Sequence, residues 1–450
     1  MAVAVTAAIV LPGAAMATNG YFWHGYGTKS EGMGGVGIAL PQDAVVATAA
    51  NPAGLGFIGN RVDFGIEVFS PSREAKISGN DITGFPTGFP PPFDTVPPSM
   101  GGMNNGKFDG DADNPFWIPN FGINYWVNDN MALGFAVVGT GGMNTNYQGM
   151  TLMNGNPMDP TEETGINLEQ VKFLPSLAYK FNENHSFGAS LQIIGQRFKS
   201  WGLGAFTREG GPMMGQVSAY PDNLTDKGYE LSWGLGLSVG WTGKITDTIT
   251  LGAVYNSKVN MSEFDDYKGL FAEKGDFDLP ENYGIGIAWQ ATPKMRLAFD
   301  VMQINYSDVK SLNNPILSGN GGMDMFNPNN YLGTKDGSGF VWNDMTVFKL
   351  GADYAINEKW TVRAGWNHSD QPIDKDQTMF NILAPAVVED HLTLGATYTL
   401  PQGSELSFYY MHAFENEVNG SNSIPPAFGG GEADISMSQN ALGISYGFTY

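Results

Sequence analysis

The sequence predicts an all-β protein, a transmembrane antiparallel β-barrel of about 14 strands. Three observations predict this fold. Segments in which large apolar side chains alternate with small ones recur along the chain, the connections between these segments alternate between short turns and long loops, and the chain ends on an aromatic residue. A single alternating segment also occurs in soluble sandwiches, but its recurrence with this loop asymmetry is typical of membrane barrels.

The alternating segments carry an apolar face opposite a face of Gly, Ser and Ala. The clearest are residues 233–241, 283–289, 392–400 and 442–450. A soluble sandwich would usually place Lys, Glu and Thr on the second face, where it meets bulk water. Aromatic residues also collect near the segment ends, as an interfacial girdle requires. We therefore expect lipid outside these strands and water or protein inside.

Composition restricts the function classes. The chain has 450 residues, 60 Gly, 15% charged residues, no Cys and a net charge of -22. An acidic surface disfavours nucleic acid as a partner. The five His residues show no metal-ligand spacing, and no nucleophile elbow or phosphate-binding loop is present. We expect no metal, no cofactor and no enzymatic activity.

Residues 1–17 are apolar and small and end in Ala15-Met16-Ala17, which predicts a signal peptide cut before Thr18. No Lys or Arg precedes Lys29, so the usual positive n-region is missing. We therefore expect the recorded start to lie downstream of the true one. A membrane anchor is the alternative, but the apolar stretch is too short for it.

The barrel is predicted over residues 61–450. Tight turns are expected at 127–130, 182–185, 245–247, 291–294, 356–359 and 400–403. Fourteen strands are expected, near 61–70, 116–127, 130–140, 168–181, 185–198, 229–243, 247–261, 281–290, 294–308, 344–356, 359–369, 389–400, 404–415 and 437–450. Seven long loops lie between the turns, and long external loops with short periplasmic turns are typical of outer-membrane barrels.

Residues 18–60 fit no strand and are predicted to form a plug, or hatch, in the lumen, because large barrels are often plugged. They contain Gly32-Met33-Gly34-Gly35, followed by Asn51-Pro52-Ala53-Gly54. These stretches resemble the N-terminal hatch of the FadL/TodX family, outer-membrane transporters of long-chain fatty acids and aromatic hydrocarbons. Strand number, loop asymmetry and the terminal aromatic residue extend the resemblance over the mature chain.

The resemblance implies a monomer whose ligand lands in an external groove, moves to an inner pocket and leaves sideways through a kink in the third strand. Here that strand runs into Gly139, Gly141 and Gly142, the lateral-gate candidates. The alternative is a strand that simply ends in a flexible loop there. The resemblance also suggests that the segment 51–54 packs near this gate.

The long loops are unusually apolar for loops that face water. Loops 199–228 and 263–280 supply the groove candidates: Trp201, Leu203, Phe206, Met213, Leu270 and Phe271. Met adapts to irregular apolar shapes, which suits ligands of variable length. The alternative is that these side chains only pack a cap over the barrel mouth.

Alternation also places cations in the lumen. Four of them are candidates for binding a substrate carboxylate, namely Lys172, Arg296, Lys349 and Arg363. A fatty acid needs its charge compensated once it is buried. The alternative is that they pair with luminal Asp residues or hold the plug, and a neutral hydrocarbon would need no cation.

The predicted function is passive uptake of hydrophobic molecules, with long-chain fatty acids as the first substrate class and neutral hydrocarbons as the alternative. The expected environment is outer-membrane lipid and lipopolysaccharide. A general porin would predict an open charged lumen without apolar loops. An adhesin or receptor would predict polar protruding loops and leave the hatch unexplained.

Overall fold

The computed structural model describes residues 18–84, 91, 95–155, 162–207, 216–316 and 327–450. The predicted signal peptide, residues 1–17, lies outside this range. No helix in the described part of the chain is long and apolar enough to cross a membrane.

The strands form one antiparallel sheet that closes on itself, because the first strand pairs with the last over their full lengths. The ring has fourteen strands, which confirms the predicted fold. Numbered in chain order, they are β1 (Arg61–Ser78), β2 (Phe116–Asn128), β3 (Met131–Gln148), β4 (Glu163–Asn182), β5 (His185–Trp201), β6 (Glu230–Lys244), β7 (Ile249–Asn256), β8 (Asn282–Thr292), β9 (Met295–Ile304), β10 (Met345–Ala355), β11 (Trp360–Ser369), β12 (Asp390–Thr399), β13 (Glu405–Val418) and β14 (Glu432–Thr449).

Two short strands add to this ring: Gly106–Asp109 pairs with β1, and Asn260–Met261 pairs with β6. The helices in the described residues are all short. The α-helical turns are Thr28–Glu31, Ala44–Ala49, Thr151–Asn154, Ala272–Gly275, Lys310–Asn313 and Thr378–Asn381. The 3-10 turns are Pro52–Phe57, Gly204–Phe206, Asp265–Tyr267, Tyr306–Asp308, Pro328–Asn330 and Pro426–Phe428.

The outer face of the ring is apolar, as the alternation predicted. Leu235 and Ile285 are 63% and 65% exposed on the surface that lipid covers, whereas Ser232 and Ser238 on the inner face are buried. Closing the ring pairs the edges of the sheet, which is the condition for a β-structure to cross hydrocarbon.

Residues 18–60, which we call the N-terminal segment, lie against the inner face of the barrel. The barrel makes room for them with inward-facing glycines on strands around the ring. At six of these glycines an added Cβ would come closer than 3.0 Å to an atom of the segment. They are Gly122, Gly188, Gly240, Gly252, Gly351 and Gly365. The small inner residues recognised in the sequence therefore allow close approach of this segment.

Charged residues of the wall also hold the N-terminal segment. The carboxylate of Asp63 on β1 accepts a hydrogen bond from the backbone N–H of Ala44 at 2.9 Å. Asp300 on β9 accepts two, from the N–H groups of Gly37 and Ile38. Because β1 and β9 lie far apart in the ring, the segment spans the inside of the barrel.

Candidate functional site

The wall of the barrel has a gap between β2 and β3. The hydrogen-bonded ladder between these strands ends at the pair Phe121 and Val137. Beyond that pair, β2 continues to Phe116 along β1, and β3 continues to Gln148 along β4. We call the facing edges, residues 116–120 and 138–142, the wall gap.

The glycines predicted at this place lie along the β3 edge of the wall gap. The register of β3 with β4 shifts between Gly139 and Gly141, so Thr140 is an extra residue in the strand. A bulge of this kind bends a strand and interrupts its pairing. Because β3 runs on through Gly142 to Gln148, the alternative of a strand that ends here in a loop is wrong.

Residues 21–23 of the N-terminal segment occupy the free edge of β3. Phe22 forms a β-bridge with Gly141. The N–H of Trp23 donates to the carbonyl of Thr140 at 3.2 Å, and the N–H of Gly142 donates to the carbonyl of Tyr21 at 3.1 Å. A Cβ at position 141 would collide with Tyr21, so this contact needs glycine. The β3 side of the wall gap is thus closed by backbone hydrogen bonds to a segment outside the ladder.

Lys172 lies beside this closure. It is buried on the inner face of β4, opposite Val138, and its Nζ lies 5.6 Å from the centre of the Phe22 ring. In the part of the chain that the structure describes, no carboxylate lies within ion-pair distance of it. An unpaired buried charge is costly, so an anion placed beside this ammonium would be favoured.

The other three predicted cations bind protein groups. Lys349 Nζ donates to the carbonyl of His24 at 2.8 Å. Arg363 donates to Gln42 of the N-terminal segment and to Thr397. Arg296 and Asp353 form a bidentate ion pair. This is the arrangement of the alternative interpretation, in which luminal charges pair or hold the plug.

Four of the six predicted groove residues line one apolar cavity of about 500 Å³, open mouth included, which we call the loop cavity. These four are Leu203, Phe206, Leu270 and Phe271. Phe206 and Phe271 are each only 3% exposed, so these side chains are buried among the loops rather than spread over an open groove. Trp201 lies elsewhere, with its indole Nε1 donating to Asn146, and Met213 lies outside the described residues.

Sequence reasoning missed the other walls of the loop cavity. They come from β4 and β5 and from the connections β9–β10 and β11–β12, and include Ile166, Phe198, Leu332, Phe340, Phe380 and Leu383. A signal was present, because residues 379–388 contain one polar residue in an otherwise apolar or Pro-containing run. A connection exposed to water would not carry such a run.

A second, smaller cavity lies behind β1 and β3; it measures about 300 Å³ with the open space at its mouth included, and we call it the wall cavity. Its lining comprises Phe69, Pro71, Arg73, Gly142, Met143, Asn144, Trp342, Ala384, Pro385, Ala386 and Met437. The Arg73 guanidinium is satisfied by Asp111, Asn114 and Asn144. Since Gly142 belongs to both the lining and the wall gap, this cavity adjoins the gap.

The motif Gly32-Met33-Gly34-Gly35 of the N-terminal segment packs on β10, β11 and β12. Gly34 and Gly35 have φ of 69° and 82°, a conformation that favours glycine. The N–H of Gly34 donates to Thr393 Oγ1 at 2.8 Å. A Cβ on Gly365 would collide with Met33 and Gly34, and one on Gly395 would approach Gly32 closely.

The motif Asn51-Pro52-Ala53-Gly54 packs on β5 and β6. Asn51 Nδ2 donates to the backbone of Trp241 and to Thr242 Oγ1, and Asn51 Oδ1 caps the following 3-10 turn at the N–H of Ala53. Pro52 and Ala53 lie against Gly188, and Gly54 lies against residues 41 and 47 of the segment itself. These contacts are on β5 and β6 and not at the wall gap, where the resemblance had suggested them.

A pair of buried carboxyl groups joins the segment to the wall near the gap. Trp23 Nε1 donates to Glu31 at 2.6 Å, while Tyr409 and Asn120 donate to Glu67 on β1. Burial, together with the neighbouring Glu67, raises the pKa of Glu31 well above its usual range. Docking therefore favours the protonated form of Glu31.

Comparisons with known proteins agree with this architecture. The TodX toluene transporter of P. putida has 17% identity and a TM-score of 0.65, over 95% of this chain and 99% of that chain. A FadL homologue of Pseudomonas aeruginosa has 18% identity and a TM-score of 0.67, over 96% and 99%. The toluene transporter TbuX of Ralstonia pickettii has 19% identity and a TM-score of 0.59, over 95% and 99%.

A search of curated proteins gave no match. The family described as outer membrane protein transport protein (OMPP1/FadL/TodX) matches residues 13–450. The chain therefore belongs to this family of outer-membrane transport proteins for hydrophobic molecules.

Proposed function

We propose that the protein lets small hydrophobic molecules cross the outer membrane passively, from the loop cavity to the wall cavity and out through the wall gap. The observation that carries this proposal is the interrupted pairing of β2 and β3, which adjoins an apolar cavity and is covered on its β3 side by residues 21–23. Lateral exit would deliver an apolar ligand into lipid without passing it through water.

Neutral hydrocarbons are the substrate class that the cavities favour. The described lining of the loop cavity is apolar except for Ser311 and Ser338. In the wall cavity, Arg73 is already bound to protein groups. Burying a carboxylate there without a partner would be costly, whereas an alkane or an aromatic ring needs none.

Long-chain fatty acids are the second candidate, and Lys172 is the observation that favours them. Its ammonium lies behind the wall gap, next to Phe22. A fatty acid that reached the gap could pair its carboxylate with this charge. Lys349, Arg363 and Arg296 would then keep their roles in holding the structure together.

The N-terminal segment acts as the plug in this proposal, and its residues 21–23 act as the lateral gate. The protein would work as a monomer surrounded by outer-membrane lipid and lipopolysaccharide. Consumption of the ligand inside the cell would give the uptake its direction.

The test is uptake and equilibrium binding of a matched series, namely hexadecane, toluene and palmitate, with purified protein in detergent and in liposomes. Phe206→Ala should weaken binding of hexadecane about tenfold, since it removes a buried aromatic wall. Phe181→Ala is the matched control, because Phe181 is 71% exposed on the outer face. Equal binding by both variants would contradict the loop cavity as the capture site.

The Lys172→Met variant separates the two substrate classes. If the substrate is neutral, its uptake should stay within about twofold of the wild type. If palmitate is the substrate, its uptake should fall at least tenfold, because a charge pair is lost in a buried site. Failure of the wild type to raise uptake of any of the three molecules above that of protein-free liposomes would refute the proposed function.

A further inference from the structure

The loop cavity and the wall cavity lie back to back. Leu383 lines the first, and the next residue, Ala384, lines the second. In the same way, Phe340 lines the loop cavity and Trp342 lines the wall cavity. The two cavities are therefore separated by a partition one residue layer thick. One half of the partition is residues 340–342 and the other half is residues 379–386. We call residues 379–386 the strap.

The two halves of the partition are joined by one side chain. Asn381 Oδ1 accepts a hydrogen bond from Trp342 Nε1 at 2.7 Å. Its Nδ2 donates to the carbonyl of Phe340 at 2.6 Å and to that of Gln377 at 2.9 Å. Asn381 and Trp342 are both inaccessible to solvent. Asn381 thus connects the strap to the β9–β10 connection through both of its amide atoms.

The strap is also held against the barrel wall. Thr145 Oγ1 on β3 donates to the carbonyl of Leu383 at 2.9 Å, and Tyr147 OH on the same strand donates to the carbonyl of Ile382 at 2.9 Å. These bonds use side chains on one side and backbone on the other. Release of the strap from β3 would break these two bonds and leave the ladder of the barrel intact.

We propose that the strap is an internal gate, which must move away from Trp342 before a ligand can pass from the loop cavity to the wall cavity. This inference rests on the proposed function, because it assigns a step of that route. Met379, Ile382 and Leu383 are at most 4% exposed, so this part of the partition is as closely packed as a protein core. The partition is thin, so a small displacement of the strap would join the two cavities.

A reversible cross-link tests the gate. The chain has no Cys, so Tyr147→Cys with Ile382→Cys, two positions that line neither cavity, gives the only thiols, and a short bis-methanethiosulfonate would tie the strap to β3. Binding and liposome uptake are then measured with radiolabelled hexadecane and palmitate. We expect the linked protein to bind within about twofold of the unlinked variant, to lose at least tenfold of its uptake, and to recover uptake on reduction.

The outcomes separate the gate from the proposed function. Uptake that stays within about twofold after linking would overturn the gate and leave the route from loop to gap intact. No uptake by the wild type would overturn the proposed function and the gate with it. Linking either single-Cys variant should change nothing.

A second variant tests Asn381 directly. Asn381→Ala removes the bonds between the two halves of the partition, and we expect hexadecane uptake to rise at least threefold while binding to the loop cavity stays within about twofold. Asn343→Ala is the matched control, because the Asn343 amide donates to Pro372 and lines neither cavity. Uptake equal in the two variants would count against the strap as a gate.

Discussion

The Glu31 carboxyl group couples the docking of the N-terminal segment to pH. Burial raises the pKa of Glu31 well above its ordinary value of 4.5, so the docked state holds a proton that the released state gives up. Docking is therefore strongest below about pH 4.5 and weakens as the pH rises toward the raised pKa. Between the ordinary pKa and the raised pKa, each pH unit weakens the docking free energy by about 1.4 kcal/mol, because one proton is released.

We expect Glu31→Gln to remove part of this dependence, because the amide is neutral at every pH. Limited proteolysis at about pH 7 and about pH 9 would measure how far the docking of the N-terminal segment weakens with pH in each protein. Burial lowers the pKa of His24 well below its usual range, so docked His24 is neutral at both pH values, and the released residue, with its ordinary value of 6.5, is mostly neutral too. The prediction fails if the wild type and the variant become equally more susceptible at the higher pH.

Gly365 tests the close approach of the segment to the wall. A Cβ at this position would overlap the backbone of Met33 and Gly34, so Gly365→Ala should weaken docking by about 1–3 kcal/mol and raise ion conductance in planar bilayers. Gly59→Ala is the control, because its Cβ would meet nothing within 4 Å. Equal conductance in both variants would show that the segment tolerates the added methyl group.

At the scale of the element, β3 shows what the sequence could and could not predict. Its lower part, up to Thr140, alternates clearly and was predicted, together with the irregularity among the glycines. Its upper part, from Gly141 to Gln148, was missed. Residues 140–147 are buried on both faces of the strand, so their sequence has no alternation of exposed and buried residue types. The closure of the wall gap by residues 21–23 depends on contacts between distant parts of the chain and leaves no local pattern.

We expect a disulfide between Trp23→Cys and Thr140→Cys to block lateral exit, since these residues are hydrogen-bonded at the β3 edge of the wall gap and neither is glycine. Uptake of hexadecane into liposomes should fall at least tenfold on oxidation and return on reduction. Oxidation of each single variant is the control. Undiminished uptake in the oxidised double variant would mean that the ligand leaves by another route.

At the scale of the whole molecule, the ring of strands and its N-terminal segment form one packed unit. The number of strands and the inner small residues were predictable because each follows from local alternation. The loop cavity was predictable only in part, since Leu203 and Phe206 stood out as loop residues, whereas Phe340 and Phe380 gained their role from four connections meeting at one place.

Deleting residues 18–57 should leave a barrel that still closes, because β1 pairs with β14 without them. We expect a conductance in planar bilayers several times that of the intact protein, since the lumen loses its filling. Heat-modifiable migration in gels would check that the shortened barrel is folded. An unchanged conductance in a folded barrel would refute the role of the segment as a plug.

The glycine-lined seat of the N-terminal segment also sets an order of assembly. Gly34 needs β11 and β12, Asn51 needs β6, and Ala44 needs Asp63 on β1. No such seat exists until β14 has joined β1 and the wall has curved. We therefore expect the residues that leave the ribosome first among the described ones to find their place last, after a stage in which the newly closed barrel is empty.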